Sequence, residues 1–551
     1  MRYAIKHAYG VSEDEYQGTM LEPLFGTGQG SGSSPAIWLG LVVILLNAFD
    51  RLAAEENITG FEFEDPWNEI ATAWHVGAFV DDTNQGVTDS KGNQSKDELV
   101  ESLRQAGQLW ENLLHISGGA LNLSKCLWSL QYWEWEKGRP RLQHMSKDDP
   151  LLVMTSGSNP DHNIIRQADN DEAPKGLGVF MNFKGTFGVQ TKKMRLKFDT
   201  MAHQLRTVKM SPLLARKYYF TMYLPAVKYS LPVTSMTMTE LHSIQILMTS
   251  VTLNKFGYNR NYPRAVAFAP IRLFGVGMCD LRIEQGLAQI NAILDYIGTG
   301  HKIGDVMLIS LRSLQVEAGI SSDILAVPSK DLPYVTDCWF LGLRNFCAKH
   351  RIRLHIKANR VPSSARLHDK FIMNIATSMN FTRQELIDIN LVRIYLKVCT
   401  ISDIATAVGR SIHLSAWKVE PFSDRRSNLS FPRQETPTTR QIGLWRKVLR
   451  HILCSNPSTN NLHLKQPLGL WCAPSNMVWE SYIWDGNLYR QNIIDPSCNY
   501  ERHVSVHLPE SLSTTTLTTI FDAKPSTHSA MVPRLAVPAD VRGNQVYTAE
   551  F

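Results

Sequence analysis

Residues 78–83 read Ala-Phe-Val-Asp-Asp-Thr, and this stretch decides how the fold is interpreted. Two adjacent carboxylates, Asp81 and Asp82, follow a short apolar segment, and the extended residues on either side predict a β-hairpin over residues 74–87. Holding two like charges together behind an apolar strand is unfavourable unless a cation shares them. Asp-Asp pairs are also common in solvated turns, so the neighbouring segments must indicate whether this pair binds metal.

The segment before the hairpin has residues that would let the backbone approach a base or sugar. Residues 26–35 read GTGQGSGSSP, and Pro35 suits the first turn of an apolar helix predicted over residues 36–55. Glycines such as Gly28 and Gly30 let a backbone approach a flat base or sugar, because no Cβ is in the way. The Gln29 amide offers both a hydrogen-bond donor and an acceptor.

The segment after the hairpin adds a cation. Residues 96–116 have the apolar spacing of a helix, and residues 117–126 then read SGGALNLSKC. Lys125 therefore follows the helix that comes after the carboxylate hairpin. A lysine near transferring phosphates can neutralise developing charge or donate a proton to the leaving group.

Four segments in chain order carry a family resemblance: G-x-G-Q-G-x-x-x-S-P, F-V-D-D, S-G-G-x-L-N-x-x-K-C and L-G-V, the last within residues 176–179. Their order and spacing resemble motifs B, C, D and E of the reverse transcriptase palm, and the F-V-D-D form is similar to that of retroelement enzymes. The resemblance is strongest over residues 20–185. It implies RNA-templated addition of deoxynucleotides to a DNA primer, with Mg²⁺ or Mn²⁺ as the cofactor.

The resemblance assigns a role to each matching position. Asp81 and Asp82 would hold the metal, with Asp81 as the main ligand, and Lys125 would be the motif D lysine. Leu177 and Gly178 would belong to the primer grip, the hairpin that holds the 3′ end of the growing strand. The residues that would border the incoming nucleotide and the template are Gly28, Gln29, Gly30, Ser34 and Pro35.

Charge is distributed unevenly along the chain, although its net value is only +6. Residues 1–100 contain sixteen acidic and five basic residues, whereas residues 184–217 contain nine basic residues and one acid. By the resemblance, the second segment would begin a helical thumb that grips the nucleic-acid backbone. A solvated helix face would explain the same charges. The backbone-binding residues predicted are Lys192, Lys193, Arg195, Lys197, Arg206 and Lys209.

The predicted fold is α+β: a partial right-hand polymerase palm, with helices packed on an antiparallel sheet, precedes a mainly α-helical thumb and C-terminal region. Five regions are expected. Residues 1–145 would form the partial palm, 146–174 a polar linker or insertion, 175–300 the primer grip and helical thumb-like region, 301–460 a helical module of unknown role, and 461–551 a poorly defined, partly disordered tail. Helices are expected at 191–209, 212–223, 239–254, 280–295, 338–351, 366–378, 383–398 and 439–453.

Motif A, which supplies another metal-binding aspartate, has no match before Gly26. The string Phe-Asp-Arg-Leu at residues 49–52 is similar to the end of motif A, but it follows motif B, and an Asp50–Arg51 pair at a helix end explains it better. The metal site would be poorly preorganised without this ligand, so we expect that the chain alone does not polymerise. One alternative is a non-catalytic nucleic-acid-binding remnant of a decayed retroelement. A second is a structural or interaction protein derived from a dead element, which would bind neither nucleic acid nor metal.

The remaining observations concern location and other chemistries. The apolar run at residues 35–46 is shorter than the roughly 20 residues that span a bilayer, and no signal peptide is evident, which predicts an intracellular protein with no membrane partner. None of the eight cysteines forms a C-x-x-C pair, so zinc is not expected. Asp485 has the setting of a first ribonuclease H strand, but no alternating strand series is evident after it. The basic run at residues 344–370 indicates either a second nucleic-acid-binding face or plain surface.

Overall fold

The computed structural model describes residues 34–79, 82–89, 94–136, 139–156, 159–328, 331–364, 366–406, 408–422, 427 and 429–469, together with short strands at 2–3, 6–7, 10–11, 16–17, 479–484, 487–492, 502–505 and 547–549. Within these residues the chain is mixed α+β, about 47% helical with small antiparallel sheets. The α+β class is therefore confirmed, while the polymerase palm stays a prediction.

The strands in chain order are β1 Arg2–Tyr3, β2 Lys6–His7, β3 Gly10–Val11, β4 Tyr16–Gln17, β5 Phe61–Glu64, β6 Ala71–Trp74, β7 Val76–Phe79, β8 Asp82–Gln85, β9 Leu127–Trp128, β10 Trp133–Glu136, β11 Arg139–Leu142, β12 Val153–Ser156, β13 Asn159–Ile164, β14 Arg166–Gln167, β15 Lys175–Gly176, β16 Val179–Phe180, β17 Trp479–Trp484, β18 Asn487–Asn492, β19 Arg502–Ser505 and β20 Tyr547–Ala549.

The helices are α1 Ser34–Glu55, α2 Lys96–Ile116, α3 Gly188–Thr207, α4 Pro212–Tyr218, α5 Leu224–Lys228, α6 Met238–Lys255, α7 Arg264–Phe268, α8 Leu281–Tyr296, α9 Lys302–Ala318, α10 Trp339–His350, α11 Ile372–Ser378, α12 Arg383–Tyr395, α13 Ile401–Ile404, α14 Leu414–Lys418 and α15 Thr439–Ile452. A π-helical turn, Tyr219–Tyr223, joins α4 to α5, and a 3-10 turn spans Ile271–Leu273.

The chain divides into two compact units. Unit 1 contains residues 1–63, 72–132 and 142–172, and unit 2 contains 64–71, 133–141 and 173–551. Unit 1 is built around the packing of α1 on α2, where the Phe49 and Trp110 rings meet edge to face with centroids 5.9 Å apart. Both rings are almost fully buried, so this pair contributes much of the apolar area that holds the two helices together.

Sequence signals explain where α2 begins and ends. The Ser95 side chain accepts from the Glu98 backbone N–H, and the Glu98 carboxylate accepts from the Ser95 backbone N–H, which together form a capping box. After Ser117 the chain turns at Gly118, whose φ is +86°, and the Gly119 N–H donates to the Leu114 carbonyl at 2.8 Å. The glycine pair therefore ends the helix as the sequence predicts.

Residues 146–156 and 159–174 are folded and do not form an extended linker. The antiparallel hairpin of β12 and β13 lies within this segment, and β14 pairs in parallel with β9. Met154 and Ile165 are buried in the same apolar cluster as Trp128, whose indole N–H donates to the Ile165 carbonyl at 3.1 Å. Of the two predicted alternatives, a linker or an insertion, the insertion suits this arrangement, because few apolar residues suffice where long-range pairing satisfies the backbone.

The first part of unit 2 is a helical layer in which α3 packs along α6. Its core includes Phe198, Tyr219 and Tyr223, all buried, with the Phe198 and Tyr223 rings edge to face at 5.2 Å. The helix predicted over 212–223 instead runs on as α4, the π-helical turn and α5. Because Pro225 has no N–H and its ring clashes with the preceding turn, the wider π turn accommodates it without ending the helical run.

The second part of unit 2 contains a large apolar core shared by α9–α15. Most predicted helices are confirmed within a few residues, but α9 was not predicted and α11 begins at Ile372 rather than residue 366. Leu462, Leu464 and Leu468 are buried in this core, so the expected tail does not begin at residue 461. Further along, β17, β18, β19 and β20 form one four-stranded sheet, which corrects the expectation that no strand series follows Asp485.

Helix α1 corrects the expectation that its apolar run is too short to cross a membrane. By length and composition alone, residues Ala36–Glu55 could span a membrane. Of the most apolar 18-residue stretch of this helix, 22% is buried. The same composition suits a core helix, and Leu45, Phe49 and Ala53 do lie in the unit 1 core. The helix is therefore weak evidence for a membrane segment.

Candidate functional site

The carboxylate hairpin is present in unit 1. Strands β7 and β8 pair antiparallel, with Val76 opposite Gln85 and Phe79 opposite Asp82. Asp82 is the first residue of β8 and is exposed, and its carboxylate has no hydrogen bond or ion pair with any described residue. Asp81 lies outside the described residues. The hairpin thus presents one carboxylate that is available to a cation.

Close aromatic packing sets the position of this hairpin. The Phe61 and Trp74 rings stack with centroids 5.8 Å apart, and a Cβ on Gly86 would lie 1.9 Å from the Phe61 ring. Glycine at this position therefore lets the ring cover the end of β8. Beside it, the His75 Nδ1 lies 3.4 Å from a carboxylate oxygen of Asp50. Asp50 accordingly faces His75, which corrects its predicted pairing with Arg51.

The turn that carries Lys125 is held by a buried glutamate. Glu111 of α2 is only 1% exposed, and its carboxylate accepts from the Leu121 backbone N–H at 2.6 Å and from the Ser156 hydroxyl at 2.7 Å. The Lys125 backbone N–H donates to the Asn122 carbonyl at 2.9 Å, and the Lys125 side chain is exposed. A carboxylate on α2 therefore shapes the loop from which the lysine projects.

Sequence reasoning missed Glu111 as a positioning residue. It follows Trp110 directly and precedes Leu113 and Leu114, so an acidic residue stands beside the apolar stripe of α2. An ionisable side chain at such a position must find partners when it is buried. That local signal could have identified a buried carboxylate, but the partners come from distant segments and were not predictable.

Part of the predicted nucleotide site is outside the described structure. Gly28, Gln29 and Gly30 fall outside the described residues. Ser34 and Pro35 open α1, as the sequence predicts, and nothing further is described of their side chains.

The predicted primer-grip residues form a two-residue hairpin turn in unit 2. Leu177 and Gly178 join β15 to β16, and both have positive φ, +48° and +84°. This is the backbone of a tight turn that matches strand twist. The Tyr229 hydroxyl donates to the Leu177 carbonyl at 2.6 Å, and the Phe180 N–H donates to the Gln190 side chain at 2.9 Å. The turn is thereby attached both to α3 and to the segment after α5.

Helix α3 presents the predicted basic residues to solvent. Its apolar side, which includes Met194, Phe198, Ala202 and Leu205, is buried against α6. One of the basic residues, Arg195, lies 3.8 Å from Asp199. The exposed basic side chains on and just after this helix are Lys192, Lys193, Arg195, Lys197, Arg206 and Lys209. They form the α3 basic surface.

The second basic run, residues 344–370, does not form one continuous charged face. Arg344 is 1% exposed, and burial lowers the pKa of its guanidinium. Arg366 is also buried, and its Nε donates to the Gly469 carbonyl at 2.9 Å. Between them, Arg351, Arg353 and Lys357 alternate with inward residues and are exposed. Two of the eight Lys and Arg residues in this run are therefore buried in the fold and do not contribute to a charged surface.

Another acidic group in unit 1 could be mistaken for a metal site. Among the described residues, His144, Asp169 and Asp171 bring ligand atoms within 4.8 Å of one another. Backbone N–H groups of Asp171 and Met145 donate to Asp169 and lower the pKa of its carboxyl. The two aspartates already have His144 and these amides as partners, and the cluster is largely exposed, so no metal is needed to explain it.

No family model, curated protein or solved structure matches this chain. The interpretation of the site therefore depends on its motifs, the hairpin geometry and the charges described above.

Proposed function

We propose that this chain is part of an RNA-directed DNA polymerase of the retroelement type, acting on an RNA template, a DNA primer and deoxynucleotides. The observation that carries the proposal is the order and spacing of four palm-like motifs around a hairpin that bears an exposed aspartate. The α3 basic surface supports it, because a polymerase must hold a polyanionic duplex. An intracellular location is part of the proposal, because the RNA template and the deoxynucleotides of this reaction are found there.

The Asp82 carboxylate fits a magnesium ligand. Oxygen ligands suit Mg²⁺, and this side chain is exposed at the start of β8 and is not engaged elsewhere in the described structure. In the proposed site Asp81 and Asp82 would hold Mg²⁺ or Mn²⁺, and a metal held there would supply activation of the primer hydroxyl and stabilisation of the leaving oxygen. Lys125 would neutralise charge on the leaving phosphates, positioned by the contact of Glu111 with Leu121.

The second candidate is a nucleic-acid-binding protein without polymerase chemistry. It is favoured by the α3 basic surface, which requires neither a metal nor a second carboxylate to bind a phosphate backbone. Both candidates predict salt-sensitive binding, with the logarithm of the binding constant falling by about 0.9 per phosphate contact for each tenfold rise in salt. Nucleotide incorporation separates them.

The test is primer extension on an RNA template with Mg²⁺. Two forms would be compared: the 551-residue chain and the same chain preceded by any in-frame sequence that lies upstream in its genome. Asp81→Ala is the active-site variant, and Asp295→Ala, an exposed aspartate on α8, is the matched control. We expect extension by the longer form, lost in Asp81→Ala and kept in Asp295→Ala.

Two other outcomes have clear meanings. Extension that survives Asp81→Ala would refute the assigned site. Salt-sensitive binding without extension by either form would support the second candidate. For the binding itself, Lys192→Gln should lower the salt dependence by about one contact, and Lys418→Gln on α14 should leave it unchanged.

A further inference from the structure

An aromatic side chain projects fully into solvent from unit 2. Phe274 is 97% exposed, and Ile271 and Leu273 beside it are 62% and 65% exposed. Arg272 between them is exposed as well. We call Ile271, Arg272, Leu273 and Phe274 the 271–274 tip. An exposed cluster of large apolar side chains commonly marks a binding surface.

The backbone holds the tip rigidly. The Phe274 N–H donates to the Ile271 carbonyl at 2.9 Å, and the Gly275 N–H donates to the Pro270 carbonyl at 3.1 Å. The return segment pairs with α7 and the residue after it, since Val276 and Gly277 donate to the carbonyls of Val266 and Ala269, each at 3.0 Å. The tip therefore presents its side chains from a fixed base.

Phe274 itself adopts an unfavourable backbone conformation. Its φ of +61° and ψ of +20° lie in the left-handed region, which costs energy for any residue with a Cβ. The next residue is glycine by necessity, because a Cβ on Gly275 would lie 2.0 Å from the Ala269 carbonyl oxygen. Strained residues held by their surroundings are concentrated at binding sites.

Arg272 and Arg216 place positive charge on the tip and at its base, and the sequence around the tip is basic. Between Glu240 and Asp280 the chain contains no acidic residue, and its basic residues there are Lys255, Arg260, Arg264 and Arg272. From a different helix, the Arg216 guanidinium donates to the Val276 carbonyl at 3.1 Å and so lies against the base of the tip. An exposed ring within a positive region suits a ligand that has both π faces and phosphates.

We infer that the 271–274 tip binds single-stranded nucleic acid by stacking a base on Phe274, while the exposed Arg272 contacts the phosphates. The charge favours a polyanion over an apolar protein partner. Among nucleic acids, only unpaired bases have a free face that can stack on the exposed Phe274 ring. The inference depends on the proposed function for its class of ligand. The residues of the tip, however, lie outside all four motifs and outside α3, so they can be tested separately from the proposed function.

The test measures binding of fluorescein-labelled single-stranded and duplex oligonucleotides to the full chain by anisotropy at fixed salt. The variants are Phe274→Ala, Phe274→Leu and Phe274→Trp, with Leu294→Ala as the control, because Leu294 is an exposed apolar residue on α8 of the same unit. We expect Phe274→Ala and Phe274→Leu to weaken single-strand binding about five- to hundredfold, as loss of one stacked base predicts. Phe274→Trp and Leu294→Ala should bind normally, and duplex binding should change little.

Far-ultraviolet circular dichroism would establish that each variant is folded, which is expected because the Phe274 ring has almost no packing to lose. Ultraviolet crosslinking to a single strand, mapped by mass spectrometry, should identify Phe274 in the wild-type chain. Single-strand binding that survives Phe274→Ala would overturn the inference. Normal binding by Phe274→Leu would instead indicate an apolar contact. If the wild-type chain bound no oligonucleotide, both this inference and the proposed function would fail, whereas normal binding by Phe274→Ala would reject this inference alone.

Discussion

Asp65 is the residue whose replacement should reveal most about what holds unit 2 together. Its fully buried carboxylate accepts from the N–H groups of Glu69 and Ile70, each at 2.7 Å, and from Trp67 at 3.2 Å. The Arg312 guanidinium, whose side chain is 4% exposed, donates to it at 2.6 Å and also lies 3.0 Å from the Glu69 carboxylate. Removing one partner of a buried pair costs about 3–5 kcal/mol, and the lower end, about 3 kcal/mol, applies here because Glu69 still offsets part of the Arg312 charge. We expect Asp65→Ala to lower the free energy of unfolding of unit 2 by that amount.

Asp65→Asn refines the prediction. The amide can keep one oxygen toward the backbone N–H groups but leaves Arg312 with only the Glu69 carboxylate as an ionic partner. Its effect should therefore be smaller than that of alanine yet above about 1 kcal/mol. Urea unfolding followed by far-ultraviolet circular dichroism measures both variants, because unit 2 contains most of the helices. Asp295→Asn, at an exposed site on α8, is the control and should change stability by less than about 0.5 kcal/mol. A loss below 1 kcal/mol in Asp65→Ala would refute the reasoning.

The same residue predicts a pH dependence. Burial alone would raise the pKa of Asp65, but hydrogen bonds from the Ile70 N–H, Arg312 and the Glu69 N–H together lower it. Because the folded-state pKa is below the unfolded value of about 3.9, the stabilisation is fully present above that value and is lost as pH falls through the folded pKa. The stability difference between wild type and Asp65→Asn should therefore shrink below about pH 4. A difference that is constant down to pH 2 would contradict this.

Two further substitutions and one labelling experiment have defined expectations. Glu111→Ala removes the acceptor of the Leu121 N–H and should destabilise unit 1 by about 2–3 kcal/mol, measured by urea unfolding. Arg393→Lys should lower the free energy of unfolding of unit 2 by about 2 kcal/mol or more in the same assay. The reason is that a lysine ammonium cannot replace the planar guanidinium, which donates to several groups including the Glu317 carbonyl. Burial and the nearby Glu284 raise the pKa of Cys279 to about 12. Its thiol should therefore react with iodoacetamide at pH 8 far more slowly than free cysteine, as measured by mass spectrometry. Labelling as fast as that of free cysteine would show that the pKa of Cys279 is not raised.

Local sequence signals predicted much of the secondary structure. The span 338–351 corresponds to Trp339–His350, and the glycines after Ile116 end α2 where expected. The carboxylate hairpin also forms as an antiparallel pair within residues 74–87. These features depend on contacts between residues close in the chain, namely helical periodicity, capping and tight turns.

What the sequence by itself determined is therefore the order of the motifs, the α+β class and most helix positions. Only the tertiary structure decided which polar residues are buried: Glu111 beneath the Lys125 turn, Arg344 and Arg366 within a run that reads as surface, and Asp65 bonded to Arg312, 247 residues away. It also decided that residues 146–156 and 159–174 fold and that Phe274 stands in solvent. The physical reason is that burial and pairing depend on partners from distant segments, and the energy of a charged or aromatic side chain depends on those partners more than on its neighbours in the chain.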